Sequence, residues 1–430
     1  MKEVKIGLIG FGTIGTGMVK TIFQNREWIK NRTGIDLNLV KIADIDIKRE
    51  REVKVSEDLL TTDAYEIIND PSIDIVVELV GGTTVAKQFI IDSIRNGKAV
   101  VTANKALLAE HGEEIFRLSR EKGIPIAFEA SVGGGIPIIK AMRESYAANH
   151  ISRIAGIVNG TCNYILTTME KEGKDFREVL AEAQKNGYAE ADPSLDIDGG
   201  DSAHKLAILA MLAFGKRVNL KEIYVEGISR ITPLDIKFAS DLHYRIKLLA
   251  IAREREDGVE LRVHPAMVPE EHLLAKIDGV YNAIYLEGDI VGPNLLYGQG
   301  AGMMATASAV VADIIDLARK IDYPRVEEDF VKCDGDLNII PIEKHVSPFY
   351  LRFQVVDKPG VLAKIAGILG DHDISIASMI QPERREGESV PIVIITHESV
   401  EGNLIKAIEK IDKLDIIRAK TQIIRIEDNL

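Results

Sequence analysis

The sequence predicts an α/β chain of several domains: a doubly wound parallel sheet, then a second α+β domain, then a small ferredoxin-like module. Three observations carry this. A short apolar strand, EVKIGLI, runs straight into GFGTIG and a helical pattern. Apolar runs then alternate with helical segments, the pattern of a parallel sheet covered on both faces. The chain closes on segments that read strand–helix–strand–strand–helix–strand, the βαββαβ order of a ferredoxin-like fold.

Residues 3–9 read as a buried strand bounded by glycine, and the helix after GFGTIG runs to about Ile29. DLNLVKIAD (36–44), IDIVVELV (73–80), KAVVTAN (98–104) and IPIAFEA (124–130) are further strands, separated by helices such as TVAKQFIIDSIRNG and KALLAEHGEEIFRLSREKG. The first domain is therefore set at 1–135. From about residue 150, helices at 161–172, 175–186 and 202–214 mix with alternating strands, IYVEGIS, RIKLLAIARERE, ELRVHPAMV and NAIYLEG. Strands 245–255 and 259–267 read as a hairpin joined at Asp257-Gly258. This second domain, 136–300, is expected to bind substrate and to offer an open sheet face to a partner subunit. The uncharged stretch from Ile290 to Ala312 is long enough to span a bilayer. Gly292, Pro293, Asn294, Gly298, Gln299, Gly300 and Gly302 interrupt it, so it reads as a loop feeding a buried helix. That helix, 301–321, is apolar on most sides and is expected to return to the first domain. A Pro-marked linker, 322–347, precedes the terminal module, 348–430.

Charge and cysteine usage exclude several functions. A net charge of −13 argues against nucleic-acid binding, which needs a clustered positive surface. Cys162 and Cys333 lie far apart, give no zinc spacing and fit a reducing compartment. The histidines include no HxH or HxxxH pair. MKEVKIGLIG reads as a strand, not a signal peptide. A cytoplasmic protein is expected, with no membrane and no nucleic-acid partner.

GFGTIG follows a strand and opens a helix, the context that makes GxGxxG a dinucleotide-binding turn. Gly10 permits the tight turn, Gly12 lets the backbone approach a pyrophosphate, and Gly15 lets the helix pack on the strand. The helix N-terminus then offers free N–H groups to the phosphates. Asp44 ends the second strand and could accept a ribose 2′-hydroxyl, though it lies further on than the usual spacing of roughly 20 residues. Lys48 and Arg49 follow it and could instead meet a 2′-phosphate.

Three further segments carry chemistry. VVTANKALLA puts Lys105 just past the carboxyl end of a parallel strand, the edge where ligands sit in such sheets. It is also an ordinary position for a first-turn lysine. FEASVGGGIPII puts Glu129 in an apolar strand beside three glycines, where a carboxylate needs a partner or an ion. A structural salt bridge would serve as well. GYAEADPSLDIDGGDSAHK (187–205) gathers Glu190, Asp192, Asp196, Asp198 and Asp201 ahead of the apolar helix LAILAMLAF. DIDGGDSAHKLA lacks the ligands of a calcium loop at its fifth and twelfth positions. Asp201 and Lys205 are four apart, hence on one helix face. A helix this apolar has little solvent face, so Lys205 is expected to point into a site, where a desolvated lysine serves as an acid or base. Glu190 and Asp201 would suit the ammonium group of an amino acid.

These motifs, with VNGTCNYIL and GQGAGMMATASAVVAD, resemble homoserine dehydrogenase with a C-terminal ACT regulatory domain, over essentially the whole chain. The resemblance implies a Rossmann-type first domain and NAD- or NADP-dependent interconversion of L-homoserine and L-aspartate 4-semialdehyde, in threonine, methionine and isoleucine biosynthesis. It implies Lys205 as the proton donor for carbonyl reduction and Lys105 as a second catalytic lysine touching cofactor and substrate. Glu190 and Asp201 would bind homoserine, with Asp196 in support. Phe11, Gly12, Thr13, Ile14, Thr102, Lys105, Gly187 and Gly302 would contact the cofactor. Glu129, with the carbonyls of Val132, Gly134 and Ile136, is similar to the family's structural sodium site. Many members carry Arg immediately before the Asp that ends the second strand. Ala43 stands there in this chain, and the loss of that 2′-phosphate partner favours NAD.

VVDKPGVLAKIAGIL resembles the first strand–loop–helix of an ACT domain. The resemblance implies an amino-acid site around Asp357, Gly360, Val361 and Leu362, and L-threonine, the end product, is the expected effector. The alternative is a module that only assembles a homodimer or homotetramer. Another ACT-tailed dehydrogenase, acting on phosphoglycerate, would need a histidine–carboxylate pair in place of the lysine-based block. A regulator that kept the fold and lost the chemistry would not need both lysines and every acidic position.

Overall fold

The computed structural model describes residues 2–321, 331, 333–381 and 389–430. Most of the expected linker's first half, including YPRVEEDF, lies outside the described residues. The chain forms two compact units. The first joins Met1–Ile154, His204–Leu220 and Tyr281–Leu337, and the second joins Ala155–Ala203, Lys221–Val280 and Asn338–Leu430.

The first unit is built on six parallel strands: β1 (Lys2–Ile9), β2 (Ile35–Ala43), β3 (Leu60–Thr61), β4 (Ile75–Glu78), β5 (Ala99–Thr102) and β6 (Ile126–Ala127). Their order is β3-β2-β1-β4-β5-β6. The order reverses between β1 and β4, which opens a crevice beyond the carboxyl ends of these strands. Val4, Ile6, Leu8, Ile75 and Val77 are fully buried, as strands covered on both faces must be. Helix Thr13–Thr33 covers β1 and stops at Gly34, whose left-handed φ of 75° closes the last turn. Helix Met303–Lys320 packs against it, with Val310, Ile314 and Ala318 in the same core as Leu8, Met18 and Val77. Gly17 makes this crossing possible: a Cβ there would stand 2.7 Å from Met303 Cγ.

Chain passes to the second unit along β7 (Ile151–Ile157). That unit holds β8 (Tyr224–Val225) and the long hairpin of β9 (Tyr244–Arg255) and β10 (Gly258–Pro269). Arg255 pairs with Gly258, so the turn is Glu256-Asp257, one residue earlier than the sequence suggested. Back in the first unit, β11 (Tyr281–Gly288) and β12 (Gly292–Gln299) form a second hairpin. The expected loop over 290–302 is therefore mostly strand. Its glycines and proline misled the reading because they sit where an edge strand tolerates them. Gly292 closes the turn against Gly288 with φ of 70°, and Pro293 follows on the outermost strand.

The C-terminal module contains β13 (Val346–Ser347), β14 (Phe349–Val356), β15 (Ile376–Ile380), β16 (Ser389–Thr396), β17 (Ser399–Val400) and β18 (Ile417–Ile426). Its main sheet runs β18-β14-β16-β15, with helices Val361–Gly370 and Glu401–Ile411 on one face, the expected ferredoxin-like order. Phe349, Leu351, Phe353, Ile365, Ile394, Leu404 and Ile411 fill its core. Within the second unit this sheet continues β10 directly: β18 pairs with it in parallel at Ala266–Arg425 and Met267–Ile426. Buried Asp235, on helix Pro233–Asp241, adds a tether. It accepts from Tyr350 Oη at 3.0 Å and from Arg352 Nε at 2.6 Å and Nη2 at 3.0 Å.

Candidate active site

The glycine turn lies on the first unit. Gly10 leaves β1 with φ of 102°, and a Cβ there would stand 2.6 Å from the Leu79 backbone. A Cβ on Gly15 would stand 2.2 Å from the Gly10 carbonyl oxygen, so helix and turn touch only because both are glycine. Above Gly12, the residue that precedes helix Thr13–Thr33, there is open space, as a phosphate requires. Thr13 is exposed and Ile14 half-buried at the same helix end. Gly302, φ 117°, precedes helix Met303–Lys320 and also faces open space. The Gly17–Met303 crossing holds these two helices together near their N-terminal ends.

Asp44 sits past the end of β2. Its Oδ2 accepts from Phe11 N at 2.6 Å and its Oδ1 from Asp46 N at 2.8 Å, which orients the carboxylate beside the glycine turn. The Phe11 ring is buried, with the Arg51 guanidinium 4.4 Å above its centroid. Arg51 is a residue that sequence reasoning missed. It donates to the carbonyls of Phe11 (2.7 Å) and Asp46 (2.6 Å), and its Nη2 stands 3.6 Å from Asp44 Oδ1. The side chains of Lys48 and Arg49, nominated from sequence, are exposed. Arg51 belongs to no motif and lies beyond them, so only the fold brings it back to Asp44.

Thr102 and Lys105 flank the end of β5. Thr102 Oγ1 donates to Glu78 Oε2 at 2.7 Å and accepts from Asn104 N at 3.1 Å. Asn104 caps helix Lys105–Lys122, accepting from Leu107 N, and donates to the carbonyls of Val80 and Gly82. Lys105 thereby opens the helix on a braced turn. Burial pushes Glu78 up to about 7, against the hydrogen bonds from Thr102 and Val80.

The acidic segment lies on the second unit as far as Ala203, and Lys205 belongs to the first. The Asn159 side chain holds it together. Its Nδ2 donates to Asp196 Oδ1 at 2.7 Å and to Asp201 Oδ2 at 2.8 Å, and its Oδ1 caps helix Gly160–Glu172 by accepting from Cys162 N. One amide thus fixes two carboxylates. Thr161 Oγ1 donates to the Tyr188 carbonyl, and Cys162 Sγ to that of Asp196. Asp201 is 1% exposed in the first turn of helix Gly200–Phe214. Lys205, one turn along the same helix, is 8% exposed. Glu190 is exposed, with its carbonyl accepting from Gln184 Nε2 at 3.0 Å, and Gly187 turns the chain ahead of it with φ of 75°. Asp192 is spent on capping Ser194.

Glu129 does not lie in a strand: only Ile126–Ala127 pair in the sheet, and Glu129–Ser131 form a 3₁₀ turn. The reason is local. The buried carboxylate accepts from Ile139 N (2.8 Å) and Lys140 N (2.9 Å), and Glu129 N donates to Asp313 Oδ2 (2.7 Å). Gly133 (φ 71°) and Gly134 (φ 55°) make the following turn possible, and a Cβ on Gly134 would stand 2.5 Å from the Gly300 carbonyl oxygen. The Ile136 carbonyl already accepts from Ile138 N at 2.8 Å. A carboxylate has about four lone-pair sites, so Glu129 can take both N–H groups and still ligate. One carboxylate with the carbonyls of Val132, Gly134 and Ile136 is a hard-oxygen set suited to an alkali cation. Among the described residues no cluster of three or more His, Cys, Asp or Glu could hold a metal ion, and no helix is long and apolar enough to cross a membrane.

Comparison with known proteins agrees over the full length. Residues 10–129 match the homoserine dehydrogenase NAD-binding domain, 137–315 the homoserine dehydrogenase catalytic family and 349–413 the ACT domain. Homoserine dehydrogenase of Neisseria gonorrhoeae is 45% identical over 433 residues, covering 99% of each chain. The chain belongs to the homoserine dehydrogenase family. It is thus an NAD(P)-dependent oxidoreductase acting between L-homoserine and L-aspartate 4-semialdehyde. The crystal structure of a homoserine dehydrogenase from Thiobacillus denitrificans is 46% identical, with a TM-score of 0.92 over 100% of this chain and 99% of that one. A hyperthermophilic archaeal homoserine dehydrogenase solved in complex with NADPH is 26% identical, with a TM-score of 0.63 over 76% of this chain and 100% of that one.

Proposed function

We propose that Lys205 is the proton carrier of this dehydrogenase and that Asp201, oriented by Asn159 together with Asp196, receives the substrate ammonium. The observation that carries the proposal is the Asn159 bridge at the head of a helix that buries Lys205 one turn later. Bound nicotinamide supplies hydride to the aldehyde carbon or accepts it from the alcohol carbon. Lys205 as an ammonium protonates the developing alkoxide during reduction, and as a neutral amine it accepts the hydroxyl proton during oxidation. Lys105 steadies cofactor and substrate from the turn braced by Asn104. Glu190 completes the ammonium site from its exposed segment. Oxidation releases a proton, so alkaline pH favours it.

The cofactor rests on the N-terminus at Gly12–Ile14, with Gly10, Gly15, Gly187, Gly302 and Thr102 around it. Asp44, already aimed by two backbone N–H groups, suits a ribose 2′-hydroxyl, which supports NAD. Arg51 beside it supplies a charge that would soften this preference. Sodium at Glu129 would hold the glycine turn in place. In the C-terminal module, Gly360 takes φ of 87° before helix Val361–Gly370, Val361 is buried, and Leu362 packs on the core. Asp357 Oδ2 is buried there without a hydrogen-bond partner among the described residues. This turn supports L-threonine binding. A homodimer or homotetramer in the cytoplasm completes the reading. Nicotinamide absorbance followed with L-homoserine, NAD and NADP side by side, tests it. Faster reduction of NAD is expected. No reduction of either by folded protein with sodium present would overturn the reading.

A further inference from the structure

The last residue of β4, Glu78, is fully buried. It stands between Ile9, the last residue of β1, and Thr102, the last of β5, in register with both. The strand order reverses here, so Glu78 lies at the carboxyl edge from which the cofactor crevice opens. No basic side chain pairs with it among the described residues. Its partners are Val80 N, 2.6 Å from Oε1, and Thr102 Oγ1, 2.7 Å from Oε2. A carboxyl buried without a cation is costly at a place that an apolar side chain could fill, and what it holds accounts for it.

It holds the wall of the glycine turn. A Cβ on Gly10 would stand 2.6 Å from the Leu79 carbonyl carbon and 3.0 Å from Val80 N. The turn thus rests on the peptide whose N–H donates to Glu78. The other carboxylate oxygen holds Thr102, whose hydroxyl accepts from Asn104 N at 3.1 Å. Asn104 Nδ2 returns to the Val80 carbonyl at 3.3 Å and to the Gly82 carbonyl at 2.7 Å. The hydrogen bonds close a ring through Glu78, Val80, Asn104 and Thr102 that joins the ends of β4 and β5. Thr102 is fully buried too, so both side chains act from behind the crevice wall.

The ring depends on ionisation. A carboxylate only accepts, and both of its partners donate. Val80 N–H can do nothing else, so a proton arriving on Glu78 takes Oε2 and makes it a donor facing the Thr102 hydroxyl. That hydroxyl must then accept, and its own hydrogen loses its acceptor. We propose that Glu78 is a positioning residue for the nicotinamide cofactor: ionised, it locks the Leu79–Val80 wall and the Thr102–Asn104 turn in the binding arrangement, and protonation loosens both. The proposal rests on the reading that the cofactor lies against Gly10–Ile14. Burial raises the carboxyl to about 7, opposed only by the hydrogen bonds from Thr102 and Val80, so the change falls near neutral pH. Neighbouring charges do not enter it. Lys2, Glu3 and Lys5 lie at the other end of β1, and Lys98 and Lys105 lie outside β5. On the packed helix Val85–Arg95, Lys87 pairs with Glu114 and Asp92 with Arg95. On helix Met303–Lys320, Asp316 pairs with Lys140 and Lys320, Asp313 accepts from Glu129 N, and Arg319 is exposed.

The test is binding of NADH, which carries no phosphate monoester to titrate, to the full-length protein, read by nicotinamide fluorescence between about pH 5.5 and 8.5. The wild-type Kd should fall about fivefold or more as pH rises through about 7. E78Q accepts from Val80 N and donates to Thr102 Oγ1 at every pH, a fixed copy of the protonated form. Its Kd should stay at the acid-side wild-type value throughout. If E78Q does not fold by circular dichroism, T102V, which removes the hydroxyl that senses the proton, decides by the same flat profile. Amide hydrogen exchange on the same samples locates the cofactor, and NADH should protect Gly10–Ile14. With that segment protected, a wild-type profile that is flat, or one that E78Q retains, would overturn the proposal and leave Glu78 a structural group. NADH bound without protection of Gly10–Ile14 would overturn the cofactor placement and the proposal with it.

Discussion

Replacing Asn159 should damage substrate binding more than it damages the fold, and two variants separate the effects. N159A removes the donor to Asp201 at 2.8 Å, the donor to Asp196 at 2.7 Å and the cap on Cys162 N at 2.8 Å. A hydrogen bond to a charged group contributes about 1.5–3 kcal/mol. Asp196 is half-exposed and regains water, so its share is small. Asp201 is 1% exposed and has little water to regain, so its loss is the larger one. The lost cap adds about 1 kcal/mol. N159A should therefore lose about 3 kcal/mol of stability. N159S keeps a capping oxygen and should recover about 1 kcal/mol of this. In both variants Asp201 loses the Asn159 amide that orients it, and the homoserine KM should rise about 10- to 100-fold. The KM for nicotinamide cofactor should stay within about twofold. Steady-state oxidation of L-homoserine at saturating cofactor, with thermal unfolding in parallel, measures both. A folded N159S with the wild-type homoserine KM would refute the role given to the bridge.

Other consequences concern charge and backbone. Burial raises the Glu78 carboxyl from 4.5 to about 7, so the folded state holds its proton more tightly than the unfolded chain. That contribution is fully present below pH 4.5 and is lost as pH rises through about 7, a swing of about 3 kcal/mol. Relative to wild type, E78Q should therefore become more stable as pH rises from 5 towards 8, and denaturant melts with identical pH slopes would contradict this. Asp313, pushed up to about 8 by burial, behaves in the same sense. D313N keeps an oxygen for Glu129 N, so it should unfold within about 1 kcal/mol of wild type near pH 4, gain on it as pH rises towards about 8 and gain nothing further above that. R51A should weaken NADP more than NAD, by about tenfold in KM ratio, because only a 2′-phosphate would use its charge. G134A combines φ of 55° with a Cβ 2.5 Å from Gly300 O, and should lower the unfolding midpoint by at least the equivalent of about 2 kcal/mol.

What could be read from the chain followed from spacing along one element. The strand–glycine–helix start fixed Gly10, Gly12 and Gly15 because each role depends on near neighbours. The four-residue spacing put Asp201 and Lys205 on one helix face for the same reason. The βαββαβ order came from alternating periodicities. What could not be read depends on partners distant in sequence. Asn159 looked like part of a motif, yet its work is to bridge residues 37 and 42 positions away. Arg51 returns 40 positions to the Phe11 carbonyl. The strand Gly292–Gln299 carries a loop's composition and is held by its register with Tyr281–Gly288. Glu129 sits in a turn because backbone N–H groups ten residues on claim its carboxylate.

The central claim is that Lys205 moves the proton. Its most direct test is single-turnover oxidation of L-homoserine by K205A, with cofactor affinity measured on the same sample by fluorescence titration. A turnover rate lowered by about 10²-fold or more, with cofactor affinity unchanged, is predicted. Near-normal turnover with that affinity intact would contradict it.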